Sequence, residues 1–429
     1  MSGAELPEIK VAPPGPRSRE LAVRLIAVES PAFDARRQRR EDDAPIVYAR
    51  GAGSNVFDAD DNRYVDLTAG FGALVLGHPP NAASRAFAEE NEKLSLALGD
   101  VYASASKIAL CEALVSLFPE KGARVMLGLS GADAVGCALK SALLATKKPR
   151  IVAFEGSYHG LAYGPLSLLG FAPSFREPFA PHLGVPVTFA PYPTSVADLE
   201  ASLSAVRAAL KGGDVAAVLV EPLLGRGGCV APPASFLAAL RSLTYEADAL
   251  LVLDEIWTGM GRTGALLAVD DAGLAPDVLC LGKGLGGGAA ISACIGSARV
   301  MQAWGEHGGT LVHTGTHFGS PPACAAALAT LKTIKDEALV DRARDVGERW
   351  QAALAKAAGD RATITGRGLM VGIAMSDAAR ALTLARALLA RGFIVLTGGR
   401  RGNVLTLSPP LTIAEPLLEA FTGALAAAL

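Results

Sequence analysis

Between about residues 100 and 325, short unbroken apolar runs alternate with longer stretches in which apolar residues return every three or four positions. The runs at 124–127, 151–154, 216–220, 250–253, 278–281 and 291–295 predict strands. A strand that is apolar along its whole length is covered on both faces. Of the intervening stretches the clearest is 132–145. There Val135, Ala138, Leu139, Ala142 and Leu143 share one stripe and Lys140 faces away, as in an amphipathic helix. Strand and helix in alternation predict an α/β fold, a mostly parallel sheet flanked by helices. Upstream, residues 46–48, 54–58 and 64–67 read as a small antiparallel meander behind a loosely ordered arm, 1–45. That arm closes on a charged run, Arg36 to Asp43, read as a solvated face. Downstream, a long Ala-rich helix starts at Pro321-Pro322, and 366–413 returns to short strands around a helix. The expected division is an N-terminal arm and small-domain segment (1–70), a large domain (71–325) and a C-terminal small domain (326–429). The two terminal segments form one α+β lobe.

In sheets of this kind the chemistry gathers at the carboxyl ends of the strands. One such end carries Asp254, and another carries Lys283 within Gly282-Lys283-Gly284-Leu285-Gly286-Gly287-Gly288, where the backbone is unencumbered beside one amine. A lysine that forms an imine, with a carboxylate for a pyridinium nitrogen one strand away, suits pyridoxal 5′-phosphate. The Lys283 amine in such a site should deprotonate more easily than an exposed lysine. Three further motifs agree. Ser130-Gly131-Ala132 opens a helix with small residues where orphan amides can hold a phosphate. Gly156-Ser157-Tyr158-His159-Gly160 follows a strand and offers Tyr158 or His159 as a flat face for a ring. Glu221, before Pro222, is a third carboxylate at a strand end.

Composition narrows the partners. Forty basic residues against 42 acidic ones, with a net charge of −2, give no nucleic-acid surface, so the expected partners are small molecules. Six scattered cysteines show no metal-ligand spacing and read as reduced thiols. Neither a signal peptide nor a run long enough to span a membrane is present, so a soluble, cytoplasmic protein is expected.

Taken together, these motifs resemble the class III aminotransferases, pyridoxal-phosphate enzymes of fold type I. The likeness runs from about residue 20 to the end and includes Asp254-Glu255-Ile256-Trp257-Thr258-Gly259-Met260-Gly261-Arg262-Thr263-Gly264 and Thr316 ahead of Pro321. The resemblance implies that Lys283 carries the cofactor and moves the proton, and that Asp254 pairs with the pyridinium nitrogen. Tyr158 and Ile256 then cover the two ring faces, Gly131 and Ala132 hold the phosphate, and Glu221 lies near the cofactor edge. It further implies that Thr316 reaches the phosphate of a neighbouring subunit in a homodimer with shared active sites. The reaction implied moves an amino group between an amine or amino acid and a keto acid, pyruvate or 2-oxoglutarate. An amino-acid racemase, epimerase or aminomutase on the same scaffold is the alternative.

Three departures from the family pattern bear on substrate. Trp257 stands where members commonly have Gln. The loop after Glu221 reads Leu223-Leu224-Gly225-Arg226-Gly227-Gly228 instead of continuing with Gln and an acidic residue. Thr406 stands where many relatives place an α-carboxylate arginine. Threonine offers no charge to a carboxylate, whereas a guanidinium fork matches it. Arg400 or Arg401 is a candidate mobile arginine for the keto acid, and Phe71 and Trp257 are candidate apolar walls for the amine.

Overall fold

A computed structural model describes residues 3–31, 45–306 and 310–429. Its strands in chain order are β1 (Tyr48–Ala52), β2 (Asn55–Asp58), β3 (Arg63–Asp66), β4 (Arg124–Gly128), β5 (Arg150–Phe154), β6 (Val187–Ala190), β7 (Val215–Val220) and β8 (Leu250–Asp254). They continue with β9 (Val278–Leu281), β10 (Ser292–Gly296), β11 (Thr363–Arg367), β12 (Met370–Ala374), β13 (Phe393–Ile394), β14 (Leu396–Gly398) and β15 (Val404–Leu407).

The central sheet has seven strands in the order β4-β10-β9-β8-β7-β5-β6. Pairings from β6 through β5, β7 and β8 to β9 are parallel, and β10 runs antiparallel to both β9 and β4. The reversal follows from chain length. Residues 282–291 are all that join β9 to β10, and a parallel crossover needs about a dozen residues or more. Strand β6 is absent from the sequence prediction: it is a half-buried edge strand with a threonine among its four residues, which leaves little apolar signal.

Alternation along the buried strands sends successive side chains to opposite faces. Val152, Phe154, Val218, Val220, Leu251 and Leu253 join one apolar core, and Ile151, Ala153, Ala217, Leu219, Leu250 and Val252 the other. The predicted amphipathic helix spans Gly131–Thr146 and buries Val135, Ala138 and Ala142 on the second of these faces.

Among the described residues, two four-stranded sheets accompany it. One is β1-β2-β3-β13, in which Phe393 and Ile394 pair in parallel with Val65 and Asp66, joining segments from the two ends of the chain. The other is β11-β12-β15-β14. The long helix predicted after residue 320 is Pro321–Asp336.

The N-terminal arm departs from its expectation, because Pro16–Ile26 is a helix. No capping side chain precedes it. Instead Asp60 accepts hydrogen bonds from the amides of Arg17 at 2.8 Å and Ser18 at 2.9 Å. A cap supplied from 43 residues away is invisible to local pattern reading. The charged run Arg36 to Asp43 lies outside the described residues.

Candidate active site

The carboxyl ends of β5, β7, β8 and β9 bring Tyr158, His159, Glu221, Asp254 and Lys283 into one cluster. Asp254 and His159 form its buried centre. His159 Nδ1 lies 2.7 Å from Asp254 Oδ2, and the amide of Ile256 donates to Asp254 Oδ1 at 3.0 Å. Both carboxylate oxygens are thus anchored and the plane of the group is set. His159 is therefore the in-plane partner of Asp254, a role beyond the flat face read from the sequence. Its Nε2 is buried and has no hydrogen-bond partner among the described residues.

Glu221 is buried. Its two oxygens accept from the amides of Tyr158 at 2.8 Å and Gly225 at 2.9 Å, so one carboxylate ties two loops together. Desolvation raises its pKa to about 7, nearby Asp254 adds to the rise, and His159 opposes it. Glu255, the other half of the acidic pair, faces the opposite way. It accepts from the amides of Ala268 and Val269 and from the hydroxyl of Thr258, and burial raises its pKa to about 7. Its work is to hold the turn after β8.

Lys283 is partly buried in a left-handed backbone conformation, φ 37°. Its Nζ lies 4.2 Å from the centre of the Trp257 indole. Desolvation lowers the amine's pKa to about 8, Asp254 and Glu221 counteract this, and Arg226 lowers it further. Trp257 can lie there because two neighbours lack side chains. A Cβ on Gly72 would come within 2.4 Å of Trp257 Nε1, and one on Gly225 within 2.5 Å of its Cε3.

Residues Ala69, Gly70, Phe71 and Gly72 all have positive φ (44°, 58°, 60° and 83°), an uncommon left-handed turn that packs near the Lys283 segment. Left-handed conformations are costly for non-glycine residues and cluster at functional sites. The turn leaves Phe71 64% exposed.

At the phosphate candidate, Ser130 caps the helix and Asp133 bonds back to the amide and hydroxyl of Ser130. The amides of Gly131 and Ala132 belong to the first turn, whose N–H groups lack intrahelical acceptors. A Cβ on Gly131 would approach Ile256 Cδ1 to 2.7 Å, so the helix start and Ile256 meet there.

The two candidate arginines lie at the surface. Arg400 pairs with Glu155 at 2.9 Å and is half exposed, and Arg401 is exposed. Thr406 is buried and donates to the Leu396 carbonyl at 3.3 Å. Arg226, not singled out from sequence, sets its guanidinium 4.6, 5.1 and 5.6 Å from the ring centres of Tyr158, Phe171 and Phe175. Phe171 and Phe175 lie between β5 and β6 in a segment with no motif to draw notice. Thr316 is exposed. A groove of about 620 Å³, lined by Leu74, Phe87, Gly286, Gly288, His317 and Ala323 among others, opens beside the Lys283 loop.

Residues 37–429 match the family model described as aminotransferase class-III. The chain is 39% identical to the acetylornithine aminotransferase of Mycobacterium bovis over 393 residues, which is 90% of this chain and 92% of that protein. It is 33% identical to the 4-aminobutyrate aminotransferase of the same organism over 434 residues, covering 95% and 94%. The solved ornithine aminotransferase of Toxoplasma gondii superposes with a TM-score of 0.82 at 28% identity, covering 95% of this chain and 97% of that one. The fold type I expectation holds, and the isomerase alternative finds no support among these relatives.

Proposed function

The chain belongs to the class III aminotransferases, enzymes that move an amino group between an amine or amino acid and a keto acid, and on that premise we propose that Lys283 carries pyridoxal 5′-phosphate in this cluster. The observation that carries the reading is the juxtaposition of a half-buried, easily deprotonated amine with a doubly anchored carboxylate. When bound, the cofactor supplies an aldehyde that condenses with amines and a pyridinium ring that withdraws electrons from the substrate carbon. The residues present fit such a group. A first-turn amide pair is bare enough to take a phosphate, and Ile256 and Tyr158 offer two faces for a ring.

In this reading Asp254 holds its negative charge toward the ring nitrogen, and His159 keeps that carboxylate in plane. Lys283, with its pKa near 8, takes and returns the proton at the reacting carbon. Trp257 and Phe71 wall the amine side, and the Trp257 indole keeps water from the Lys283 Nζ. Glu221 holds the loops of Tyr158 and Gly225 at the cofactor edge. Exposed Thr316, the apolar groove beside Gly286 and Gly288, and exposed Leu98, Val101, Tyr102 and Leu311 support a homodimer that completes the phosphate site. Acetylornithine, ornithine and 4-aminobutyrate, the substrates in the relatives' names, are the first donors to test, with pyruvate and 2-oxoglutarate as acceptors.

The test is borohydride reduction of the cofactor-loaded protein, followed by peptide mass mapping. Wild type should carry the reduced adduct on the peptide containing Lys283, and Lys283→Ala should carry none and lose turnover. Substantial transamination by Lys283→Ala would refute the assignment.

A further inference from the structure

We propose that the Asp66–His78 pair is a positioning clasp for Lys283, a role that rests on the reading of Lys283 as the lysine that carries the cofactor. His78 Nε2 lies 3.0 Å from Asp66 Oδ2, so one side-chain contact closes the chain on itself across 12 positions. The other oxygen of the buried carboxylate, Oδ1, accepts from the amide of Thr68 at 2.8 Å, the hydroxyl of Thr68 at 2.7 Å and the amide of Ala69 at 3.1 Å. Those donors stand at the entrance to the left-handed turn Ala69–Gly72. A run of such conformations persists only where its surroundings over-determine it, and Asp66 supplies that constraint. Burial raises the Asp66 pKa, and the hydrogen bonds from His78 and Thr68 outweigh it, which leaves the carboxyl below its ordinary value.

The segment closed in this way rests on the Lys283 loop and on its indole cover. Gly72 abuts Trp257 Nε1, and the Trp257 ring lies 4.2 Å from Lys283 Nζ. A Cβ on Gly284, the residue after Lys283, would come within 2.6 Å of Val75 Cγ1, and one on Gly288 within 2.8 Å of Leu74 Cδ2. Phe71, the wall on the amine side, rides on the same turn.

Both flanks of the segment are anchored by backbone. The amide of His78 donates to the Gly53 carbonyl at 2.7 Å, and its carbonyl accepts from the Gly53 amide at 3.0 Å. On the other flank Ser408 donates its amide to the Leu67 carbonyl at 2.8 Å and its hydroxyl to the Thr68 carbonyl at 3.0 Å. The side-chain pair joins these two flanks to each other, and so sets the path of residues 69–77 across the face of the lysine loop.

The Lys283 amine reports on the clasp in the full-length protein freed of cofactor. Its midpoint for reaction with an amine-directed label should lie near pH 8 in wild type, set mainly by desolvation. His78→Phe keeps a ring and removes the nitrogen. A loosened 69–77 segment admits water, so the midpoint should rise toward the ordinary lysine value of about 10.4, and Trp257 emission, isolated against Trp257→Phe, should shift to the red. His78→Gln, whose amide nitrogen reaches the Nε2 position, should restore both, and the shorter His78→Asn should not. In the holoenzyme His78→Phe should lower kcat by up to about 100-fold, the effect of a misplacement of about 1 Å. An unchanged midpoint and emission in His78→Phe would overturn the proposal, as would equal rescue by Gln and Asn. Should His78→Phe not fold, Thr68→Val, which removes one hydroxyl donor to Asp66, decides by the same two measurements: smaller shifts in the same direction support the clasp, and none overturns it. The visible absorption of bound cofactor separates the two layers of inference. With it present in wild type, an unmoved midpoint overturns the clasp alone; its absence from wild type would overturn the reading of Lys283 and the positioning role with it.

Discussion

Replacing His159 with Phe removes the hydrogen-bonding partner of Asp254 while keeping a flat ring of comparable size, so little of the effect should come from a cavity. Asp254 Oδ2 is left without the nitrogen 2.7 Å away, in a site where the side chain is 4% exposed, and retains only the Ile256 amide on its other oxygen. Orphaning a neutral buried acceptor costs about 1–3 kcal/mol, and breaking a buried ion pair about 3–5 kcal/mol. A loss of about 3 kcal/mol is expected, readable as a lower urea midpoint at unchanged slope. In the role proposed for it, a carboxylate free to rotate would also turn away from the cofactor's ring nitrogen, and a misplacement of about 1 Å lowers turnover by about 100-fold. His159→Asn puts an amide nitrogen where Nδ1 stood and should restore most of both, whereas His159→Gln extends toward the Nε2 position and should not. A His159→Phe protein within about 0.5 kcal/mol of wild type, the ordinary range for surface substitutions, would refute the reasoning, and so would rescue by Gln equal to that by Asn.

Gly225→Ala places a methyl 2.5 Å from Trp257 Cε3 and 3.1 Å from Met370 Cε, an overpacking expected to cost about 1–3 kcal/mol and to push the indole off Lys283. Unchanged thermal stability together with unchanged Trp257 emission, isolated against Trp257→Phe, would rule this out. The Lys283 amine of the apoprotein, its pKa lowered to about 8 mainly by desolvation, should react with an amine-directed label with a midpoint near pH 8, and a midpoint near the ordinary lysine value would contradict the burial argument. The sign for stability follows: between about pH 8 and the ordinary value the unfolded chain binds more protons at this site than the folded one. The site's contribution therefore rises with pH through that window.

The apolar runs and three- to four-residue periodicity were enough to place six of the seven central strands and the helix at Gly131, because a sheet covered on both faces writes its burial directly into composition. The strand-end residues were legible for the same reason. A charged side chain that closes an apolar run, as Asp254, Glu221 and Lys283 do, has few places to be except the sheet's carboxyl edge. What the pattern could not hold were relations between distant segments. That Asp60 caps a helix 43 residues away, that His159 is the partner of Asp254, and that Glu255 turns from the site to the Ala268 turn are decided only when the strands are in register. The same holds for the arginines. Arg400 and Arg401 drew notice by position along the chain, yet Arg400 found Glu155, while Arg226 gained its aromatic frame from Phe171 and Phe175, residues in an irregular segment that carries no periodic signal. Local sequence determined which side chains stand at the sheet edge, since burial acts residue by residue. Tertiary structure alone decided which of them face one another, since hydrogen bonds and ion pairs depend on a separation of a few ångströms that no spacing along the chain encodes.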